Sequence, residues 1–218
     1  EFYALSPLGF VGALFTGLSH SVVFGYGAVY VTSRGFSVFE VSIFMIIITS
    51  FGALSQLPVG YFSDKIDRRI ILIALTLLAA GLSILITISS YLSIILFFVL
   101  AAIFSSMCLP IYSLVVAHTN DFLQPDEIVS ASSTITKLVG IGSIFGPIIV
   151  SGIMNLLGAN GFFAYLFIVH GFLGLFGIYR IAKRSKPTDL ESQYVPLPRN
   201  ITPAGMELTP VTEPIEDE

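Results

Sequence analysis

Charge is scarce in this sequence. Asp, Glu, Lys and Arg make up 11% of its 218 residues, against about 25% in a soluble domain. With so few charges and 55% hydrophobic residues, most of the chain must have lipid rather than water as its solvent. Cysteine is almost absent. Cys108 stands alone inside an apolar run, which excludes an internal disulfide and a cysteine-based zinc site and leaves a small buried side chain as its plain reading. No phosphate-binding loop is present, so ATP is not the energy source within this chain. No Ser/His/Asp order and no metal-ligand helix motif appears, and the carboxylate pair Asp64 and Asp67 falls in a basic loop. We therefore expect neither an enzyme nor a resident metal or cofactor. Basic residues are too few for nucleic-acid binding. The first apolar run has neither a basic n-region nor a small-residue cleavage site, so it does not read as a cleavable signal peptide.

What the sequence has is long runs without charge. A membrane-crossing helix takes about 20 apolar residues. Runs of that kind predict spans at about 8–31, 41–62, 70–89, 92–116, 128–157 and 162–181. The stretch from Ile70 to Asn120 is too long for one helix, and Ser89-Ser90-Tyr91 is the expected turn. Pro125 and Asp126 mark a helix start, and Gly158-Ala159-Asn160-Gly161 a turn. The fold class is thus all-α, a polytopic membrane bundle over residues 1–186. Residues 187–218 form a Pro-rich tail with a net charge of −6, while the rest of the chain carries +2. The low pI belongs to the tail, which is expected to be extended.

An even number of spans puts both ends of the bundle on one side. Lys65, Arg68 and Arg69 follow the second span, and Arg180, Lys183, Arg184 and Lys186 follow the sixth. Parity places these clusters together, whereas the opposite loops hold only Arg34. The positive-inside rule makes the basic side, and both termini, cytoplasmic.

The segment Gly60-Tyr-Phe-Ser-Asp64-Lys65-Ile-Asp67-Arg68-Arg69 is the most informative. Gly60 would allow two helices to approach closely. Asp64 can meet a helix N-terminus or pair with Arg68, and such a charged loop can latch helix bundles in one state; alternatively it is a generic positive-inside loop. In the fifth span, Gly142-x-x-x-Gly146-Pro147, flanked by Gly140 and Gly152, joins a close-packing face to a helix weak point.

Ionisable groups at membrane depth are functional candidates. Lys137 lies about ten residues into the fifth span, roughly 15 Å deep at 1.5 Å per residue. It either binds an anionic substrate or exchanges a proton, or it snorkels to the headgroups. His20, midway along the first span between Ser19 and Ser21, suits a proton relay or a structural hydrogen bond. Thr16 and Tyr26 are expected on the same cavity-facing surface. Gln56 reads a polar group of the substrate or holds helices together. Tyr112, after Pro110, offers a hydroxyl to the cavity or packs. Asn155 and His170 read as packing groups near span ends, and His118 as a solvated loop residue.

The loop segment resembles the signature loop of the major facilitator superfamily, Gly-x-x-x-Asp-Arg/Lys-x-Gly-Arg-Arg/Lys, through Gly60, Asp64, Lys65, Arg68 and Arg69. Asp67 stands where the family usually has Gly, which questions the tight turn there. The Gly142–Pro147 stretch resembles the Gly-Pro-rich helices of the same superfamily, and Tyr194-Val-Pro-Leu-Pro-Arg199 is similar to C-terminal tails of a bacterial YcaD-like group. The resemblance implies a twelve-span secondary transporter in two halves, of which this six-span bundle with its tail would be the C-terminal one. A sequence that does not begin with Met fits a fragment. It further implies a plasma (bacterial inner) membrane location, a small-molecule substrate bound near the midplane, alternating access, and a missing N-terminal half as partner beside the lipid bilayer. The competing expectation is a non-transporting membrane receptor or assembly subunit, with a closed, dry bundle.

Overall fold

A computed structural model describes residues 3, 6–123 and 127–183, and all regular structure among them is helical. The helices are α1 (Pro7–Ser33), α2 (Val38–Ser63), α3 (Arg68–Ser89), α4 (Ile94–Cys108), α5 (Ile111–Asn120), α6 (Ile128–Leu157) and α7 (Gly161–Lys183), with a 3₁₀ turn at Gly158–Asn160. By length and composition, five stretches can cross a membrane: Pro7–Ser33, Val38–Ser63, Arg68–Ser89, Ile94–Asn120 and Ile128–Lys183. The last, at 56 residues, is divided by the 3₁₀ turn into α6 and α7. The helix start expected at Pro125 and Asp126 and the tail at 187–218 lie outside the described residues.

Local chemistry sets the helix ends. Ser6 caps α1 by accepting from Gly9 N–H at 3.2 Å, with Pro7 at the first helical position. Ser37 and Glu40 form a reciprocal capping box on α2. Asp67 caps α3 by accepting from Arg69 N–H at 3.0 Å, and Ser93 caps α4. Gly158 takes a positive φ of 64° at the end of α6, a backbone conformation that costs glycine little. The fourth apolar run, expected as one helix over 92–116, is instead interrupted at Leu109–Pro110, between α4 and α5. Pro110 has no N–H to give back to the preceding turn, and its ring crowds the carbonyl there.

Each end of the bundle is tied by one guanidinium. At one end Arg34, after α1, donates to the Ser90 carbonyl at 3.2 Å and the Ser90 hydroxyl at 3.0 Å. It also lies 3.9 Å from the centre of the Tyr91 ring. Tyr91 in turn donates to Asn160 Oδ1 at 2.9 Å. The loops after α1, α3 and α6 therefore share this end. At the other end Arg68 binds Asp64, the Ala117 carbonyl and Asp121, joining the α2–α3 loop to the end of α5.

Helix α1 runs against α2, α5, α6 and α7, and its closest partner is α6. A Cβ at Gly142 would sit 2.7 Å from Leu18 N, and one at Gly146 would sit 2.6 Å from Leu18 O. The absence of side chains here lets two backbones pack directly. In lipid, where hydrophobic exclusion gives helices no reason to associate, such contact is a main source of affinity. Pro147 is accommodated within α6, which continues to Leu157. Near the Arg34 end an aromatic cluster fills the core, with Tyr30 stacked on Phe162 at 4.9 Å and Phe44 on Phe97 at 5.6 Å. Helix α2 leaves most of its apolar surface exposed, as at Leu54 and Leu57, which suits contact with acyl chains.

Candidate functional site

The break at Leu109–Pro110 lies beside the middle of α1, and polar groups from three helices gather there. His20 Nε2 is 3.2 Å from the carbonyl oxygen of Cys108, the last residue of α4. A carbonyl only accepts, so the proton of a neutral His20 ring sits on Nε2 and leaves Nδ1 as an acceptor. Nδ1 takes no hydrogen bond from the described residues. The same reasoning orients His170 on α7. Its Nδ1 lies 2.8 Å from the Leu166 carbonyl and must donate, so Nε2 of the neutral ring accepts from Ser19 Oγ at 3.0 Å. The one Ser19 proton is then committed, and the Cys108 thiol, 3.3 Å away, donates to the Ser19 oxygen. A directed chain results, from Cys108 to Ser19 to His170 to the Leu166 carbonyl. Ser19, Cys108 and His170 are fully buried, and Phe104 closes the chain edge-on to the His170 ring at 5.7 Å.

His20 occupies a flank of α1. On one side of it Gly17 and Ser21 face α6, and on the other Gly12 and Ser19 face α5 and α4. As a residue, His20 is only partly buried. Of the positions expected for a substrate or proton role, Tyr112 follows the helix break in the chain and His20 reaches it from another helix.

The remaining expected site residues are dispersed. Lys137 is exposed and has no hydrogen bond or ion pair among the described residues. It shares a stripe of α6 with Ile141, Ile144 and Ile148, all exposed, on the side opposite Gly142 and Gly146; the structure does not bring it to His20. Gln56 is exposed on α2, and Tyr112 is 40% exposed at the start of α5. Tyr26 packs against the aromatic core rather than beside His20. Thr16, expected on the cavity surface, is buried and donates to Gly12 O of its own helix at 2.7 Å. Its hydroxyl satisfies itself one turn back, as Thr does in apolar helices.

The charged loop has a defined architecture. Arg68 reaches Asp64 Oδ1 at 3.0 Å and the Ala117 carbonyl at 3.0 Å, and pairs with Asp121. Arg69 grips Asp67 through Nε, at 3.1 Å to Oδ1, and through Nη2, at 2.8 Å to Oδ2. This second pair is largely buried. Asp67 therefore does not spoil the turn where Gly was expected; it caps α3 and neutralises Arg69. Lys65 bonds to Tyr61, four residues back. A Cβ at Gly60 would meet nothing within 4 Å among the described residues. Gly140 and Gly152 are likewise open, whereas Gly142 and Gly146 are in tight contact with α1. Burial raises the Asp121 carboxyl above its ordinary range; Arg68 pulls it down, and Asp67 and Asp64 push it up. His118 is also not a solvated loop residue. It lies in the last turn of α5, 4% exposed, with its ring edge-on to Phe122 at 5.0 Å.

The family model of the Major Facilitator Superfamily matches residues 9–208. The chain belongs to this superfamily. No curated protein matches it. Superfamily membership, with membrane-length apolar helices, makes this an integral membrane protein of a family of secondary solute transporters. Within that setting Asp121 and Asp67 join the loop residues already suspected, and Ser19, Cys108 and His170 join His20. Asp121 stands more than fifty residues from the motif and has no local pattern of its own. The Pro110 break was the one available signal for the Cys108 carbonyl.

Proposed function

We propose that the chain is the C-terminal, six-crossing half of a twelve-span superfamily transporter, and that it moves a small solute by alternating access coupled to protons. The observation that carries the coupling is His20. Its Nε2 is held by the Cys108 carbonyl at a helix break, while Nδ1 has no hydrogen-bond partner among the described residues and stays available to a proton. Uptake of a proton at Nδ1 places a positive charge beside the break, where a hinge between α4 and α5 can respond to it. Helix discontinuities at mid-membrane are where transporters of other folds place substrate and coupling-ion sites. Arg68, Asp64 and Asp121 act as the latch, holding the ends of α2, α3 and α5 together in one state. Lys137, Gln56 and Tyr112 stand as candidates for contact with substrate or with the partner half. Lysine and arginine clustered after α2 and in the last turn of α7 support cytoplasmic termini in a plasma membrane, and the tail segment Tyr194–Arg199 supports a bacterial YcaD-like assignment.

The test is solute uptake into vesicles by the full-length transporter, across a solute panel and at several external pH values. His20→Gln keeps a side-chain donor for the Cys108 carbonyl but cannot titrate. We expect it to abolish the pH dependence of uptake at normal membrane abundance. Wild-type pH dependence in this variant would remove His20 from the coupling. Lys137→Ala alongside reports on charge recognition of the substrate.

A further inference from the structure

The ends of four helices meet around a cleft that solute transport leaves without a role. Its wall consists of the start of α1 (Ser6, Pro7, Leu8), Arg69 at the start of α3, His118 and Phe122 around the end of α5, and Arg180 near the end of α7. The empty volume is about 270 Å³, partly open to solvent.

The chemistry of the wall is one-sided. Among the described residues, two guanidiniums and an imidazole line it and no carboxylate does. Arg69 is neutralised by Asp67 from behind, so it contributes fixed, oriented donors more than net charge. Arg180 is different. It is partly buried and has no hydrogen bond or ion pair among the described residues. The positive end of the α1 dipole adds to the same potential. An anion in the cleft meets the one guanidinium there, Arg180, that has no counter-charge among the described residues. Planar guanidinium forks match tetrahedral oxyanions, which they bind through paired hydrogen bonds. The cleft also sits where the apolar stretches of α1, α3 and α7 begin or end, and the end of a spanning helix is where headgroups are met.

We propose that this cleft binds a phosphate-bearing anion, with Arg180 as the residue that supplies its net charge. The source is either a phospholipid headgroup or free phosphate, and the experiment separates them. The full chain, purified in uncharged detergent, is titrated with phosphatidylglycerol, with diacylglycerol as the phosphate-free control, and with inorganic phosphate at ionic strength matched by chloride. Thermal denaturation reports the protection. Protection by phosphatidylglycerol alone identifies the lipid; protection by inorganic phosphate identifies the free anion. Either supports the proposal provided Arg180→Gln weakens apparent affinity by about tenfold and Lys183→Gln does not. His118→Gln is the second variant should Arg180→Gln fail to fold. No protection by either anion, or equal losses in Arg180→Gln and Lys183→Gln, overturns the site, the latter because it shows diffuse surface charge instead.

Discussion

Arg68 and Asp121, from opposite ends of the α3–α5 segment, form an ion pair, and the same guanidinium reaches back to Asp64 at 3.0 Å. One cation thus stands between two carboxylates and a helix-end carbonyl. Replacing it with Ala leaves Asp64 and Asp121 facing each other without a counter-charge. Because Asp64 is largely exposed, the loss to this state should be about 1 kcal/mol. We expect Arg68→Ala to lower the melting temperature in detergent and to slow solute uptake. Arg68→Lys, which keeps the charge but loses the fork, should recover only part. Full recovery by Lys would show that charge alone matters there.

The Asp121 carboxyl gives a pH dependence whose sign follows from its raised pKa. Burial raises it above 3.8, with Asp67 and Asp64 adding to the rise and Arg68 opposing it. Folded protein therefore holds this proton more tightly than unfolded chain does. The resulting stabilisation is complete below pH 3.8 and is lost as pH rises through the higher folded value. Melting of wild type and Asp121→Asn should accordingly diverge across that window, the wild type losing stability relative to the variant as pH increases. Parallel profiles from acid to neutrality would rule this out.

The α1–α6 seam should respond to single methyl groups. Gly142→Ala places a Cβ against Leu18 N and the Leu14 carbonyl, an overpacking that costs about 1–3 kcal/mol. Gly140→Ala, two residues away on the same helix, meets open space and should be neutral or stabilising by up to about 1 kcal/mol. Thermal denaturation of the two variants side by side checks the seam, and equal effects would contradict it.

Cys108 offers a reporter of opening. Its thiol is fully buried and donates to Ser19, so a maleimide should not label it in the state described. Labelling that appears only with transported solute or after a pH change would mark movement at the α4–α5 break. Rapid labelling at rest would argue against the buried chain. Ser19→Ala strands His170 Nε2 without its donor and should cost about 1–3 kcal/mol.

The membrane class and the all-helical fold were legible because long charge-free runs suit a lipid environment, where a helix satisfies its own backbone. The superfamily was legible from Asp64, Lys65, Arg68 and Arg69, whose spacing around a helix boundary is specific. The central cluster was harder to foresee. His20 stood out by its polarity, but its partner is a backbone carbonyl, which no residue type announces. His170 looked like a packing group because nothing near it in the chain is polar; Ser19 reaches it across more than one hundred residues. Lys137 drew attention by its depth, yet depth along a helix says nothing about which side of the helix a residue occupies. Gly60 and Gly142 read alike in sequence, and only the neighbour that does or does not approach tells them apart.

The knot formed by Arg34, Ser90, Tyr91 and Asn160 has a practical consequence for anyone engineering this protein. Three turns at that end are not separate places to cut, lengthen or decorate. An epitope inserted beside Asn160 pulls on Tyr91, and through its ring on Arg34, so the disturbance arrives at the α1–α2 turn about as surely as at the insertion point. Two engineered changes in different turns there will combine as neighbours do, non-additively, although they are far apart in the chain.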